Sequence, residues 1–314
     1  MQEIGQKSGR AEREPETGRV IAAGQSVEVG DFPLLQKQRR RNWRIIALLG
    51  AGTAAGLFAS GLTTGAWITA GIAAILSGTL HHLYGKELTA HYKREIVPQF
   101  VRRFCEAGRY EPNDGIRIHT FVSSRLFNSA PDRYRTEDLI EGCIGRTKFR
   151  FAEVHAQKEQ KVHTKNGTRT TWTDIFRGFF FVADFNKHFS GQTTMVPHFP
   201  GAKWIAGRDR VLLENRELMK AFLVCSTDQT EARYILTPAL MERIMGLWRR
   251  YPGKLKISFT GSCILVARAC PTNHYEAGLW RSIRRCIERD LKAVRELTGL
   301  VEELNMNTRI WTKQ

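Results

Sequence analysis

Between Ile45 and Gly85 the sequence contains no Asp, Glu, Lys or Arg, although a quarter of its 314 residues are charged. That absence excludes an ordinary solvated surface helix, because such a helix keeps one polar face. As a single helix the stretch would be about 60 Å long, roughly twice the hydrocarbon thickness of a bilayer. Two shorter passes fit better, about 45–60 and 66–84, joined by the turn-like Gly61-Leu62-Thr63-Thr64-Gly65. The expected fold class is therefore α+β: a two-helix transmembrane hairpin, then a cytosolic domain with an antiparallel sheet and a long C-terminal amphipathic helix.

Other absences narrow the chemistry. There is no GxSxG, HExxH or GxxxxGK[ST] motif and no zinc-type Cys/His spacing, which removes the common hydrolase, metalloprotease and P-loop signatures. Gly50-Ala51-Gly52-Thr53-Ala54-Ala55-Gly56 resembles a dinucleotide fingerprint, but its third glycine is one residue late and no strand precedes it. Cys105, Cys143, Cys225, Cys263, Cys270 and Cys286 form no CxxC pair and read as reduced thiols of a cytosolic domain. No metal site and no cofactor are expected.

What is present is positive charge. The formal net charge is +17, which implies an anionic partner, either lipid head groups or nucleic acid, and says nothing about fold. The lysines and arginines are scattered and carry no nucleic-acid-binding motif, so lipid is the preferred partner. Arg39, Arg40, Arg41 and Arg44 before the apolar run, and Lys86, Lys93, Arg94, Arg102 and Arg103 after it, are the candidate contacts to an anionic lipid surface. Basic residues flank both outer ends of the hairpin and are missing from its turn. The positive-inside rule then places both termini in the cytoplasm, with the protein in the plasma membrane. The polar first 44 residues argue against a cleaved signal peptide. Small residues at helical spacing, Gly52, Gly56 and Ser60 on one pass and Ala70, Ala74 and Gly78 on the other, are the candidate helix-pairing positions. A buried hairpin in a soluble core is the alternative.

Three regions follow: a disordered polar tail over 1–36, with Val27–Leu35 as a short exception; the basic flank and hairpin over 37–86; and a single α+β domain over 87–314. In the last, apolar residues every four positions from Leu88 to Phe104 predict a helix, kinked at Pro98 and ended by Gly108. Ile116–Leu126 reads as a helix. Strands are expected at 148–151, 168–186, 192–196, 221–226, 256–259 and 264–267. Asn166-Gly167 supplies a hairpin turn, and Gly178 marks a bulge or close backbone approach. Thr237 and Pro238 start a helix running to about Arg250. Leu279 to Leu304 steps by three or four as an amphipathic helix of about eight turns. Asp184, His188 and His198 are the weak catalytic candidates, close in sequence on strand ends. Glu137, Asp138 and Glu141 read as structural ion-pair partners.

Several stretches in order carry a family resemblance. They are Tyr134–Gly142, Phe149–Glu153, Phe176–Lys187, Leu236–Arg243 and Asp290–Val294 followed by Leu304–Trp311. From Tyr92 to Trp311 the chain resembles a bacterial family known as domain of unknown function 3137. The resemblance implies membrane helices ahead of a cytosolic domain and implies no activity. The expected function is a membrane-anchored interaction or scaffold module. The rivals are an enzyme with a site near Asp184 and His188, and a nucleic-acid-binding protein.

Overall fold

A computed structural model describes residues 18–22, 24–164, 167–198, 209–304 and 306. The chain divides into two compact units. The first runs up to Ile96 and takes in Tyr275–Leu291; the second holds Val97–His274 and the chain from Lys292. This differs from the single domain expected over 87–314, because a segment near the C-terminus packs with the helical hairpin.

In the first unit, β1 (Gly18–Ala22) pairs antiparallel with β2 (Gln25–Gly30). The disordered tail expected up to residue 36 is corrected here. Alternation buries Val20, Ala22, Val27 and Val29, giving the ribbon one dry face. Residues 1–17 lie outside the described residues. Helix α1 (Phe32–Ala59) follows, with Pro33 in its first turn, and α2 (Thr63–His91) returns beside it. A π-helical turn, Tyr92–Ile96, continues α2. It immediately precedes α3 (Val97–Phe104), where Pro98 has no N–H to donate, so the ladder is displaced one turn before the kink expected at the proline.

Gln36 donates to the carbonyls of Gly278 and Arg281, both at 2.9 Å, fixing the Tyr275–Ser282 segment to α1. Asp290 is fully buried and accepts from Tyr92 Oη at 2.9 Å, from the Tyr275 amide at 3.1 Å and from Arg289 at 2.7 Å. A buried carboxylate needs such partners to offset its lost hydration.

The second unit is built on a six-stranded antiparallel sheet. Its path is β3 (Glu106–Glu111), β4 (Arg133–Ile144), β5 (Thr147–Thr164), β6 (Gly167–Pro197) and β7 (Phe222–Ser226), with β8 (Leu255–Ala269) also pairing β6. The segments 168–186 and 192–196 are one strand, interrupted by irregularities between Asp184 and Gln192, and 256–259 and 264–267 are likewise one. Thr164 pairs Gly167, and residues 165 and 166, on which the expected turn falls in part, lie outside the described residues. Gly167 thus opens β6. Strands β3 and β4 were not anticipated.

Register puts Phe149, Phe151, Phe179 and Phe181 on one sheet face, with Phe151 and Phe181 directly paired. The other face buries Ala152, Val154, Phe180, Leu265 and Ala267 against Ile116, Phe121 and Leu126. Helix α4 (Ile118–Ser123), shorter than expected, supplies Phe121. Helices α5 (Arg216–Ala221) and α6 (Gln229–Ile235) flank β7. Helix α7 (Pro238–Arg250) begins as expected, the Thr237 hydroxyl accepting from the Leu240 amide. The last helix, α8 (Ile283–Glu303), has about six turns rather than eight, because Leu279 lies in the irregular segment before it.

Candidate functional site

The hairpin comes first. Trp43 Nε1 donates to the Ser77 carbonyl at 2.9 Å, which sets the register of α1 against α2. A Cβ on Gly50 would collide with the Ala73 methyl group, whereas Cβ atoms on Gly52, Gly56 and Gly78 would meet nothing. Close approach therefore occurs at Gly50 and Ala73; Ala74 and Ser60 are exposed, and Ala70 is partly covered. The partly covered positions Trp43, Ala47, Gly50, Ala54 and Leu57 step by three or four, the narrow seam of a left-handed pair. Outside that seam large apolar side chains are bare: Leu48 is 72% exposed, Trp67 73%, Ile72 55% and Ile75 71%.

At the hairpin base the basic residues divide. Arg39 pairs with Glu87 at 2.6 Å and lies over the Tyr84 ring. Arg40 donates to the Leu279 carbonyl at 2.6 Å. The guanidinium groups of Arg40 and Arg44 both cover Trp280, which meets Trp43 edge to face at 5.4 Å. Lys93 is buried, which removes it from the expected lipid-facing set. Arg41, Arg44, Lys86, Arg94, Arg102 and Arg103 are exposed. Trp280 was missed in the sequence because it lies about 240 residues from its partners.

Of the weak catalytic candidates, Asp184 and His188 lie opposite neighbouring residues of β8, and His198 stands apart from them. Asp184 pairs Cys263 across β8 and is exposed, while His188 Nδ1 lies 3.1 Å from Ser262 Oγ. His198 follows the end of β6. Between Asp184 and Met195 the partner strand advances from Cys263 to Ile257, about 20 Å at strand rise. Asp184 does line an open concavity of about 400 Å³ with Arg109, Glu141, Lys148 and Arg150, above Cys143, Val182 and Cys263. Neither His188 nor His198 lines it. Asp138 accepts from Tyr110 Oη, a tyrosine where an arginine was expected. Among the described residues, no group of three or more His, Cys, Asp or Glu is arranged to hold a metal ion.

A second polar cluster had no signal in the sequence beyond a cysteine and a histidine four apart. Register places Glu153, Phe179 and Arg268 in one row across β5, β6 and β8. Cys270 follows that strand, its amide donating to the Arg177 carbonyl at 2.9 Å. A side chain at Gly178 would collide with the Arg268 carbonyl, and its φ of +151° suits only glycine. Cys270 Sγ lies 3.5 Å from His274 Nε2. The His274 amide donates to Glu153 Oε1 at 2.8 Å, and its ring packs 4.9 Å from that of Phe179. Burial pushes the Glu153 carboxyl up to about 8, with His274 partly opposing and Asp138 adding to the rise. The hydrogen bond from His274 pulls the Cys270 thiol down to about 7. Arg268 pairs with Glu296 at 2.6 Å and lies between the rings of Phe179 and Tyr251.

Together these features define a protein with an apolar helical hairpin and a separate α+β unit on an antiparallel sheet. Residues 174–306 match the family described as "Protein of unknown function (DUF3137)". The matched span leaves out Tyr134–Gly142 and Phe149–Glu153, two of the stretches that carried the resemblance. No curated protein matches the chain. Among solved structures it is similar to the mycobacterial trehalose monomycolate transport factor A, TtfA, at 12% identity and a TM-score of 0.35, covering 66% of this chain and 93% of that one.

Proposed function

We propose that this chain is a membrane-anchored interaction module, held by a two-pass hairpin with both termini in the cytoplasm of a bacterial cell. The observation that carries it is the bare apolar surface around α1 and α2. Among the described residues one helix, Thr63–Phe104, is long and apolar enough to cross a membrane, and only 6% of its apolar window is buried. A hairpin in a soluble core would be covered, and a hairpin in water would be polar outside. Helix α1 contributes a shorter apolar segment, from Ile45 to Ser60, about 24 Å at 1.5 Å per residue. With Trp43 and Trp280 at the near interface, that length spans a bilayer of about 30 Å only with slight thinning. Arg41, Arg44, Lys86 and Arg94 then face head groups, each contributing roughly 1 kcal/mol near an anionic surface.

The test is extraction of the full chain from native membranes. An alkaline carbonate wash should leave it in the pellet and detergent should release it. A reporter fused at the C-terminus should be active only in the cytoplasm. Release by carbonate, or a periplasmic reporter, overturns the reading.

One observation favours a second reading, a small-ligand site in the concavity lined by Asp184. Its mix of apolar floor and Arg109, Lys148 and Arg150 suits an amphipathic anion. Saturable 1:1 binding of anilinonaphthalene sulfonate, lost in Lys148→Glu/Arg150→Glu, would support it; unchanged binding in that variant would remove it.

A further inference from the structure

Both members of the Cys270–His274 pair are fixed by the fold before any ligand arrives. Cys270 is held at its amide by Arg177, on the approach that Gly178 permits, and Sγ also lies 3.8 Å from the Thr272 carbonyl. His274 is held at its amide by Glu153 and at its ring by Phe179. The thiol is partly exposed, unlike the buried Cys105 and Cys286. We propose that Cys270 is an activated thiol, paired with His274 as thiolate and imidazolium, and that it is a modification site for low-molecular-weight disulfides.

The step balances as thiol–disulfide exchange. The Cys270 thiolate attacks one sulfur of the disulfide; a new Sγ–S bond forms as the old S–S bond breaks. The departing thiolate takes the proton from His274 Nε2. Cys270 is oxidised to a mixed disulfide, and the other half of the reagent is reduced to a thiol. The groups facing the pair favour the charged state. Arg268 on β8 is positive, and Glu153 on β5 is held neutral by burial, so it does not repel a thiolate. Glu296 on α8 is engaged by Arg268, and Tyr251, after α7, has its phenol pushed up to about 12 by burial. The other thiols are different: burial pushes Cys105 up to about 12 and raises Cys225 and Cys263.

The experiment uses the full chain in detergent micelles, with glutathione disulfide and the smaller iodoacetamide as probes and peptide mass spectrometry reading each cysteine. A thiol titrating near 7 has far more thiolate at neutral pH but is intrinsically less nucleophilic than one near 9. Cys263 is raised above the ordinary thiol value, so Cys270 should react several-fold faster than Cys263 at pH 7, with a larger ratio at pH 6. Its rate should rise with a midpoint near pH 7. His274→Gln should erase the excess while the rates of Cys225 and Cys263 stay unchanged, which also reports an intact fold. Should that variant fail to fold, the wild-type pH profile decides. A midpoint above pH 8.5, equal rates at Cys270 and Cys263 with both probes, or an undiminished excess in a folded His274→Gln protein overturns the proposal.

Discussion

The hairpin and the sheet turn their large side chains in opposite directions. Along α1 and α2, Leu48, Trp67, Ile72 and Ile75 point outward and only a narrow seam with Gly50 and Ala73 is covered. In the sheet, Phe151, Phe179, Phe180 and Phe181 are buried to 1% exposure or less, and charge lies at the surface or in pairs. The same hydrophobic logic gives both patterns once the surroundings differ. Polar groups follow suit. The hairpin between Ile45 and Gly85 has no acid or strong base, whereas the sheet unit buries Arg268 against Glu296 and keeps Glu153 neutral.

The contrast breaks most visibly when one apolar residue from each unit is changed. Phe180→Ala should cost about 3–5 kcal/mol by leaving a cavity between Phe121 and Leu265, read as a large drop in the cooperative melting temperature. Ile72→Lys should leave that melt alone, since Ile72 is already exposed. It should instead lower membrane insertion by roughly 3 kcal/mol at a central position in the bilayer. Were the hairpin surrounded by water, the same change would be worth under about 0.5 kcal/mol, and an unaltered membrane fraction would refute the comparison.

A second test sharpens the polar half. Glu296→Gln removes the carboxylate from Arg268, whose guanidinium stays enclosed by Phe179 and Tyr251. An uncompensated, mostly buried cation costs about 3 kcal/mol. Denaturant melts should show the loss, and Arg268→Met combined with Glu296→Leu should recover most of it. A single variant as stable as the double would mean the pair is effectively solvated.

Much of this was legible in the sequence, and the failures share a cause. The apolar run, the Thr237–Pro238 helix start and the close approach at Gly178 are local signals, carried by neighbouring residues. What was missed depends on pairing across long separations. The alternation that buries Val20, Ala22, Val27 and Val29 was hidden in a polar tail. Tyr275–Leu291 joins the hairpin through Gln36 and Tyr92. The helix-pairing stripe was placed on Gly52, Gly56 and Gly78 because small residues recur there, but register, fixed by Trp43 and Ser77, selects Gly50. Asp184 and His188 lie opposite neighbouring residues of β8, Cys263 and Ser262, whereas His198 follows the far end of the strand. Cys270 and His274 approach each other because a turn follows the strand.

The last expected effect is the most directional. Burial pushes the Glu153 carboxyl up to about 8, against about 4.3 in an unfolded chain. A folded-state value raised above the unfolded one means the acid's contribution is fully present below about pH 4.3. It is lost as pH climbs towards 8, because the unfolded chain releases the proton first. Glu153→Gln keeps the oxygen that accepts from the His274 amide and has no proton to lose. The variant and the wild type should therefore melt alike near pH 4.5 and diverge steadily above it. By pH 8 the variant should be clearly the more stable of the two, the gap then levelling off. A gap that is constant from pH 4.5 to 8 would mean that Glu153 is ionised throughout. The row of Glu153, Phe179 and Arg268 would then tolerate a second buried charge, and the sheet would be less dry than its phenylalanines imply.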